Sequence, residues 1–240
     1  MWAGPRNVST AVMYSFAQRP DTLVVDEPLY GHYLNHSGAD HPGRSEVLAA
    51  MDLDGERVMR GLSQRGAHSR RHGVVFVKQM AHHLTGIDYA LLEGSLNFLL
   101  IRDPVAMLPS LARVLDNPEL KDTGLDRQVE LLDRLQDFGQ TPFCIDAREL
   151  LIDPARVLAQ ACARLGIQFL PAMLAWPQGP RAEDGVWAPY WYRNVHRSRG
   201  FQPWREPSDP FPPELAGLLE ECRPYYQRLY AEALRAREEP

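Results

Sequence analysis

Lysine is almost missing from this chain: Lys78 and Lys121 are the only two in 240 residues. Arginine carries nearly all the positive charge, and its planar fork of donors suits bidentate contacts with phosphate. Codon bias explains the shortage more simply than function does. Cysteine is scarce as well. Cys144, Cys162 and Cys222 are odd in number and form no CxxC pair, which excludes a disulfide framework and reads as buried free thiols. No run reaches the ~18 consecutive apolar residues of a membrane span, and no basic, apolar leader opens the sequence. The chain is therefore expected in the cytoplasm, with no membrane partner. The net charge of −5 excludes a global basic surface for nucleic acid, so any polyanion site is local. The Walker A pattern GxxxxGK[ST] is absent too.

What is present suits one α/β domain over residues 1–240. Hydrophobic residues make up 45% and charged residues 24%, enough for a core of ordinary size without disulfides. Only Met1-Trp2-Ala3 precedes Gly4, so the first strand is very short, or else begins upstream. A helix is expected from Ser9 to Gln18, with Ser9 a candidate N-cap, and a strand over Thr22–Val25. Residues 29–43, rich in His, Gly, Asn and Tyr, read as irregular. Ser45–Gln64 has helical periodicity with a break near Asp54-Gly55.

Further strands are expected at Gly73–Gln79, Leu96–Ile101 and Thr141–Asp146, with helices at Val105–Leu115, Asp126–Phe138 and Pro154–Leu165. Strands alternating with helices imply a mostly parallel sheet flanked by helices in three layers, whose ligands bind beyond the carboxyl ends of the strands. Residues 177–213 carry eight prolines among clustered Trp, Tyr and Arg and read as a long loop or lid. A final helix is expected from Pro213 to about Arg237.

Two constellations carry chemistry. In Gly4-Pro5-Arg6-Asn7-Val8-Ser9-Thr10, a strand, a tight turn and a hydroxyl-rich helix start combine into an anion site. Backbone N–H groups and the helix dipole favour the anion, and Arg6, Ser9 and Thr10 add donors. An ordinary capped turn explains the same residues about as well. Arg102 ends a strand at the expected ligand edge, and Ser110 and Arg113 share a face of the next helix. Taken singly, Arg102 reads as a partner of Asp103 and Ser110 as a solvated serine.

Together the two resemble the sulfotransferase family. GPRNVST is similar to that family's 5′-phosphosulfate loop, and FLLIRDP with Ser110 eight residues after Arg102 resembles its 3′-phosphate motif. The stretch Cys144–Pro154 and the sequel Ala163–Ile167 look like later family segments, in family order. The resemblance implies a P-loop-type fold without Walker A. It also implies 3′-phosphoadenosine 5′-phosphosulfate (PAPS, leaving as PAP) as co-substrate, a small hydroxylated acceptor and no metal. Arg6, Asn7, Val8, Ser9 and Thr10 would hold the 5′-phosphosulfate, with Arg6 also acting in catalysis, while Arg102 and Ser110 would hold the 3′-phosphate. Arg197, Arg199 and Gly200 are candidates for a closing loop, with Tyr192 or a Trp stacking on adenine.

Two departures stand out. Arg6 replaces a common lysine, and Val8 stands where the family normally has Gly. A β-branched residue is strained at positive φ, so the departure points to a different backbone path or a different donor. For the general base, Glu27 at a strand end is favoured over His82 or His83, whose spacing from Lys78 exceeds the family's Lys-x-His. A loop or capping carboxylate beside Asp26 is the plainer reading of Glu27. His32 and His36 stand at i,i+4 with no evident third metal ligand, and read as surface histidines. The rival functions are a P-loop-derived small-molecule kinase and a nucleotide-binding module without turnover.

Overall fold

Short β-branched and apolar runs build the strands, and the longer periodic stretches build the helices between them. In the computed structural model β1 is Trp2–Ala3, followed by α1 (Ser9–Phe16) and β2 (Thr22–Asp26). Helices α2 (Tyr30–Ser37), α3 (Arg44–Ala50) and α4 (Gly55–His68) lead to β3 (Val74–Met80). Then come β4 (Phe98–Ile101), α5 (Pro104–Leu111), α6 (Leu120–Thr123), α7 (Leu125–Asp137), β5 (Phe143–Asp146), α8 (Ala147–Ile152) and α9 (Pro154–Arg164). Helices α10 (Ala188–Trp191), α11 (Arg193–His196) and α12 (Ala216–Tyr230) follow. The structure describes residues 1–68, 73–206 and 209–237.

The chain divides into two compact units. The first comprises Met1, Ser9–Ser95 and Leu170–Phe201. There β2 and β3 pair in parallel, with Asp26 in register with Lys78. Helix α1 packs on both strands, and Phe16 stacks on Phe76 with ring centroids 4.1 Å apart. Met1 borders β3, donating from its nitrogen to Val77 O and accepting from Gln79 N.

The second unit comprises Trp2–Val8, Leu96–Phe169 and Gln202–Pro240. Strand β4 pairs in parallel with β1 and with β5, and α7 and α12 cover it. Within this unit β4 therefore lies between β1 and β5. This is the α/β architecture expected, a mostly parallel sheet flanked by helices. The three cysteines are buried and form no disulfide, and among the described residues no helix is long and apolar enough to cross a membrane.

Three local expectations need correction. Residues 29–43 are not simply irregular, because α2 occupies Tyr30–Ser37. Its polar composition hid the buried Tyr30, Gly31 and Leu34. A Cβ at Gly31 would lie 2.7 Å from the Met51 Cβ, so tertiary packing rather than propensity sets this helix. Residues 177–213 are not one loop: α10 and α11 lie inside it, and Trp187 and Tyr192 are buried. Residues 207–208 of that stretch lie outside the described residues. The last helix ends at Tyr230 rather than near Arg237; Leu234 N then bonds to Cys144 O beside β5, which takes the chain off the helical path.

Candidate functional site

In the second unit, the turn after β1 is held from several sides. The Asn7 side chain donates from Nδ2 to Leu100 O at 2.7 Å and accepts from Val8 N through Oδ1. The turn passes so close to α6 that a Cβ on Gly4 would lie 2.9 Å from the Thr123 carbonyl oxygen. Arg102 donates from Nη1 to the Arg6 carbonyl at 2.6 Å, and Arg6 Nε donates to Ser110 Oγ at 3.0 Å. Positive φ in this turn falls on Arg6 (53°) and not on Val8. That corrects the concern over Val8: the left-handed step is taken two residues earlier, and the β-branched side chain carries no such strain.

Three of the expected donor residues, Arg6, Arg102 and Ser110, thus come together. Burial and the neighbouring Arg113 lower the Arg6 pKa, while burial and Arg6 lower that of Arg102. No ion-pair partner for Arg6, Arg102 or Arg113 is present among the described residues. Asp103, the alternative partner of Arg102, instead caps α5 by accepting from Val105 N. Asp146 and Asp103 act on Arg102 from a distance, but guanidinium groups crowded together with no carboxylate in ion-pair contact are electrostatically suited to an anion.

The first unit holds Ser9 and Thr10 in the opening turn of α1. It also holds a buried charge cluster at the carboxyl ends of β2 and β3. Register alone sets Asp26 beside Lys78. Lys78 Nζ donates to Asp26 Oδ1 at 2.9 Å, to Glu27 Oε1 and to Tyr192 Oη at 2.7 Å. Trp187 Nε1 also donates to Tyr192 Oη, and the tyrosine donates to Asp26 at 2.7 Å. Gly185 N donates to Asp26 Oδ2 at 3.2 Å. Glu27 has φ of 36°, a costly backbone for a non-glycine residue and one typical of functional positions. It is held by Glu27 N to Lys78 O and by Tyr30 N to Glu27 O.

Burial, reinforced by Asp26, raises the Glu27 pKa against the pull of Lys78. Burial opposes the charge on Lys78, but Asp26 and Glu27 outweigh it and hold its pKa well above the ordinary value. Both histidine candidates move the other way. Burial and His41 lower His82 to about 4, while burial and then His82 push His83 well below its usual range. His83 is stacked between Tyr30 and Tyr33, with ring centroids 5.1 and 4.7 Å away. Such imidazoles resist taking a proton, whereas burial raises the proton affinity of Glu27.

Tyr192 does not offer a face to adenine. It is 4% exposed, with its hydroxyl committed to the charge cluster. Arg199 bonds through Nε to Gln178 Oε1, Gly200 bridges Ala175, and Arg197 is exposed on the same Leu170–Phe201 segment. His32 is not a free surface histidine: its two ring nitrogens face the carbonyls of Leu53 and Thr85. Sequence reasoning passed over Lys78 and Asp26 as participants. The available signal was a lone lysine inside the apolar run GVVFVKQ, since a charge buried there requires a partner.

The chain matches the family described as "Sulfotransferase domain" over residues 1–233. It is 41% identical over 229 residues to the "Branched-chain-amino-acid aminotransferase-like protein 1" of Arabidopsis thaliana, covering 95% of this chain. It is 38% identical to the same plant's protein 2, again over 95% of this chain. The chain spans 40% of the length of these curated relatives.

Two solved structures share the fold. One is the sulfotransferase domain of the Synechococcus PCC 7002 olefin synthase, with a TM-score of 0.56, 17% identity and 92% of each chain covered. The other is the sulfotransferase domain from the curacin biosynthetic pathway, with a TM-score of 0.50 and 15% identity, covering 92% of this chain and 95% of that one. With the family matched across nearly its whole length, this chain belongs to the sulfotransferase domain family.

Proposed function

We propose that residues 1–240 form one cytoplasmic sulfotransferase domain that transfers a sulfuryl group from PAPS to a hydroxyl of a small acceptor. The observation that carries this reading is the cluster of Arg6, Arg102 and Arg113, which has no carboxylate partner among the described residues. Its donor set fits the two phosphate-bearing ends of PAPS, with Arg6, Asn7, Val8, Ser9 and Thr10 assigned to the phosphosulfate and Arg102 and Ser110 to the 3′-phosphate. Arg197, Arg199 and Gly200 are assigned to a covering role over the nucleotide. PAPS supplies the activated sulfuryl group. Arg6 stabilises charge on the transferring group and on the departing phosphate oxygen, as cationic clamps do in phosphoryl transfer. Glu27 takes the hydroxyl proton as the acceptor oxygen bonds to sulfur and the bond from sulfur to the 5′-phosphate oxygen breaks, leaving PAP.

A thermal-shift series with PAP, PAPS, ADP and ATP tests the donor assignment. At 100 times its dissociation constant a ligand stabilises by ~2.7 kcal/mol, which raises the melting temperature of a domain this size by roughly 5–10 °C. PAP is expected to exceed ADP clearly. Equal shifts remove the 3′-phosphate role of Arg102 and Ser110, and a preference for Mg-ATP moves the protein to the kinase class.

Arg6→Ala gives a second check. Losing a hydrogen bond to a charged group costs about 1.5–3 kcal/mol, so PAP affinity is expected to fall ~10–100-fold by calorimetry. PAP release from PAPS should slow as well. Unchanged affinity in a folded variant places the donor elsewhere.

A further inference from the structure

Lys78, Asp26 and Tyr192 were not assigned a chemical role above, yet their hydrogen bonds form one connected set. Lys78 has three N–H donors, and three acceptors take them: Asp26 Oδ1, Glu27 Oε1 and Tyr192 Oη. Tyr192 has one proton, which points to Asp26, and its oxygen accepts from Lys78 and from Trp187 Nε1 at 3.0 Å. Asp26 therefore receives Lys78, Tyr192 and the Gly185 amide. Glu27 receives Lys78 on Oε1, and the Tyr192 hydroxyl also lies near enough to favour its charged form. Its side chain is 11% exposed, against 2% for Asp26 and 1% for Lys78.

We propose that Lys78, Asp26 and Tyr192 are positioning residues that clamp Oε1 of Glu27 and leave Oε2 as the atom that accepts the substrate's proton. The proposal rests on the reading of Glu27 as the base. Two carboxylates and one ammonium give the cluster a net charge of −1 in a site shielded from water. Accepting one proton makes it neutral, which buried groups favour. Saturation of Asp26 with donors directs that proton to Glu27. The strand residues Asp26 and Lys78 are cross-strand neighbours, and Glu27, the next residue, reaches the same lysine from a left-handed backbone.

The groups facing Glu27 are Asp26 from β2, Lys78 from β3, Tyr192 beside α10 and Tyr30 from α2. His83 in turn faces Lys78. Burial and then Glu27 keep the Tyr30 hydroxyl protonated through the neutral range, and burial keeps His83 uncharged, so Asp26 and Lys78 are the charges that act.

Carboxyl ¹³C NMR titration of glutamate-labelled full chain reads this directly, with the Glu27 resonance identified by its loss in Glu27→Gln. Asp26→Asn removes a like charge and should lower the Glu27 midpoint by about one pH unit or more; Lys78→Met should raise it by a similar amount. The acid limb of PAP release from PAPS, measured with water as the acceptor, should move with each midpoint. A role confined to structure predicts no such opposed movements. Midpoints that stay put, or move the same way, overturn the positioning role while leaving the base assignment standing. Opposed midpoints together with full PAP release in Glu27→Gln overturn the base assignment instead. If Lys78→Met does not fold, the direction seen in Asp26→Asn decides by itself.

Discussion

Glu27→Gln is expected to cut PAP release from PAPS by ~10²–10⁴ in single turnover, the range for removal of a positioned general base. Donor affinity should be unchanged, because the amide keeps the shape of the side chain and the donor cluster uses other residues. Stability gives a second, opposite signature. Glu27 has a pKa raised in the folded state, chiefly by burial. Between its unfolded and folded values the native protein binds more protons than the unfolded chain, so stability falls as pH rises through that window. The variant lacks this term and leaves Lys78 paired one-to-one with Asp26. Its melting temperature should match or exceed wild type above the window, and the wild-type disadvantage should fade as pH falls towards the ordinary glutamate value. Lost turnover with retained or improved stability is the pattern of a residue kept for chemistry rather than for folding. His82→Ala and His83→Ala should lose far less turnover. If a histidine variant is inactive while Glu27→Gln works, the base passes to that histidine; if donor binding collapses in Glu27→Gln, the carboxylate shapes the loop instead.

Lys78→Met is expected to destabilise the fold by about 3–5 kcal/mol, the cost of leaving a buried charge without its partner. For a domain of this size that lowers the melting temperature by roughly 6–20 °C. The lysine is 1% exposed and its three donors are all used, so its removal leaves two buried carboxylates without their counter-charge. The loss should deepen as pH rises, because the two remaining carboxylates can share a proton only in acid. Adding Asp26→Asn removes one stranded charge, so the double variant should be more stable than the sum of the two single losses. Chemical denaturation of the four proteins at two pH values measures this. Strict additivity shows that Asp26 and Lys78 do not act as a unit, and the cluster described here then fails.

Much of the frame was legible from residue order. GVVFVKQ and LNFLLI announce buried strands because continuous apolar runs of that length suit a parallel sheet; β4 lies within the second, and β3 covers the first from Val74 and runs on to Met80. The turn from Gly4 to Thr10 and the Arg102–Ser110 spacing were readable as a pair, since both sit where a strand meets a helix. Helix α2 was not, because histidine, glycine and asparagine carry weak helical preference and its packing face is formed by residues distant in sequence. The stretch 177–213 misled for the same reason: proline and aromatic content says nothing of Tyr192 being drawn inward by hydrogen bonds to residues over a hundred positions away, with Trp187 bonded to its hydroxyl.

The sequence by itself determined the alternation of strands and helices, the arginine-bearing turn and the presence of a carboxylate at the end of β2, since each depends on neighbours within a few residues. Only the tertiary structure decided which charges meet. Asp26 and Lys78 are 52 positions apart and become neighbours through the register of two parallel strands. Tyr192 reaches them from 114 positions beyond Lys78. Register and long-range burial depend on the whole packed fold, and so does the proton affinity of Glu27, because it is set by water exclusion and by charges that no local pattern brings together.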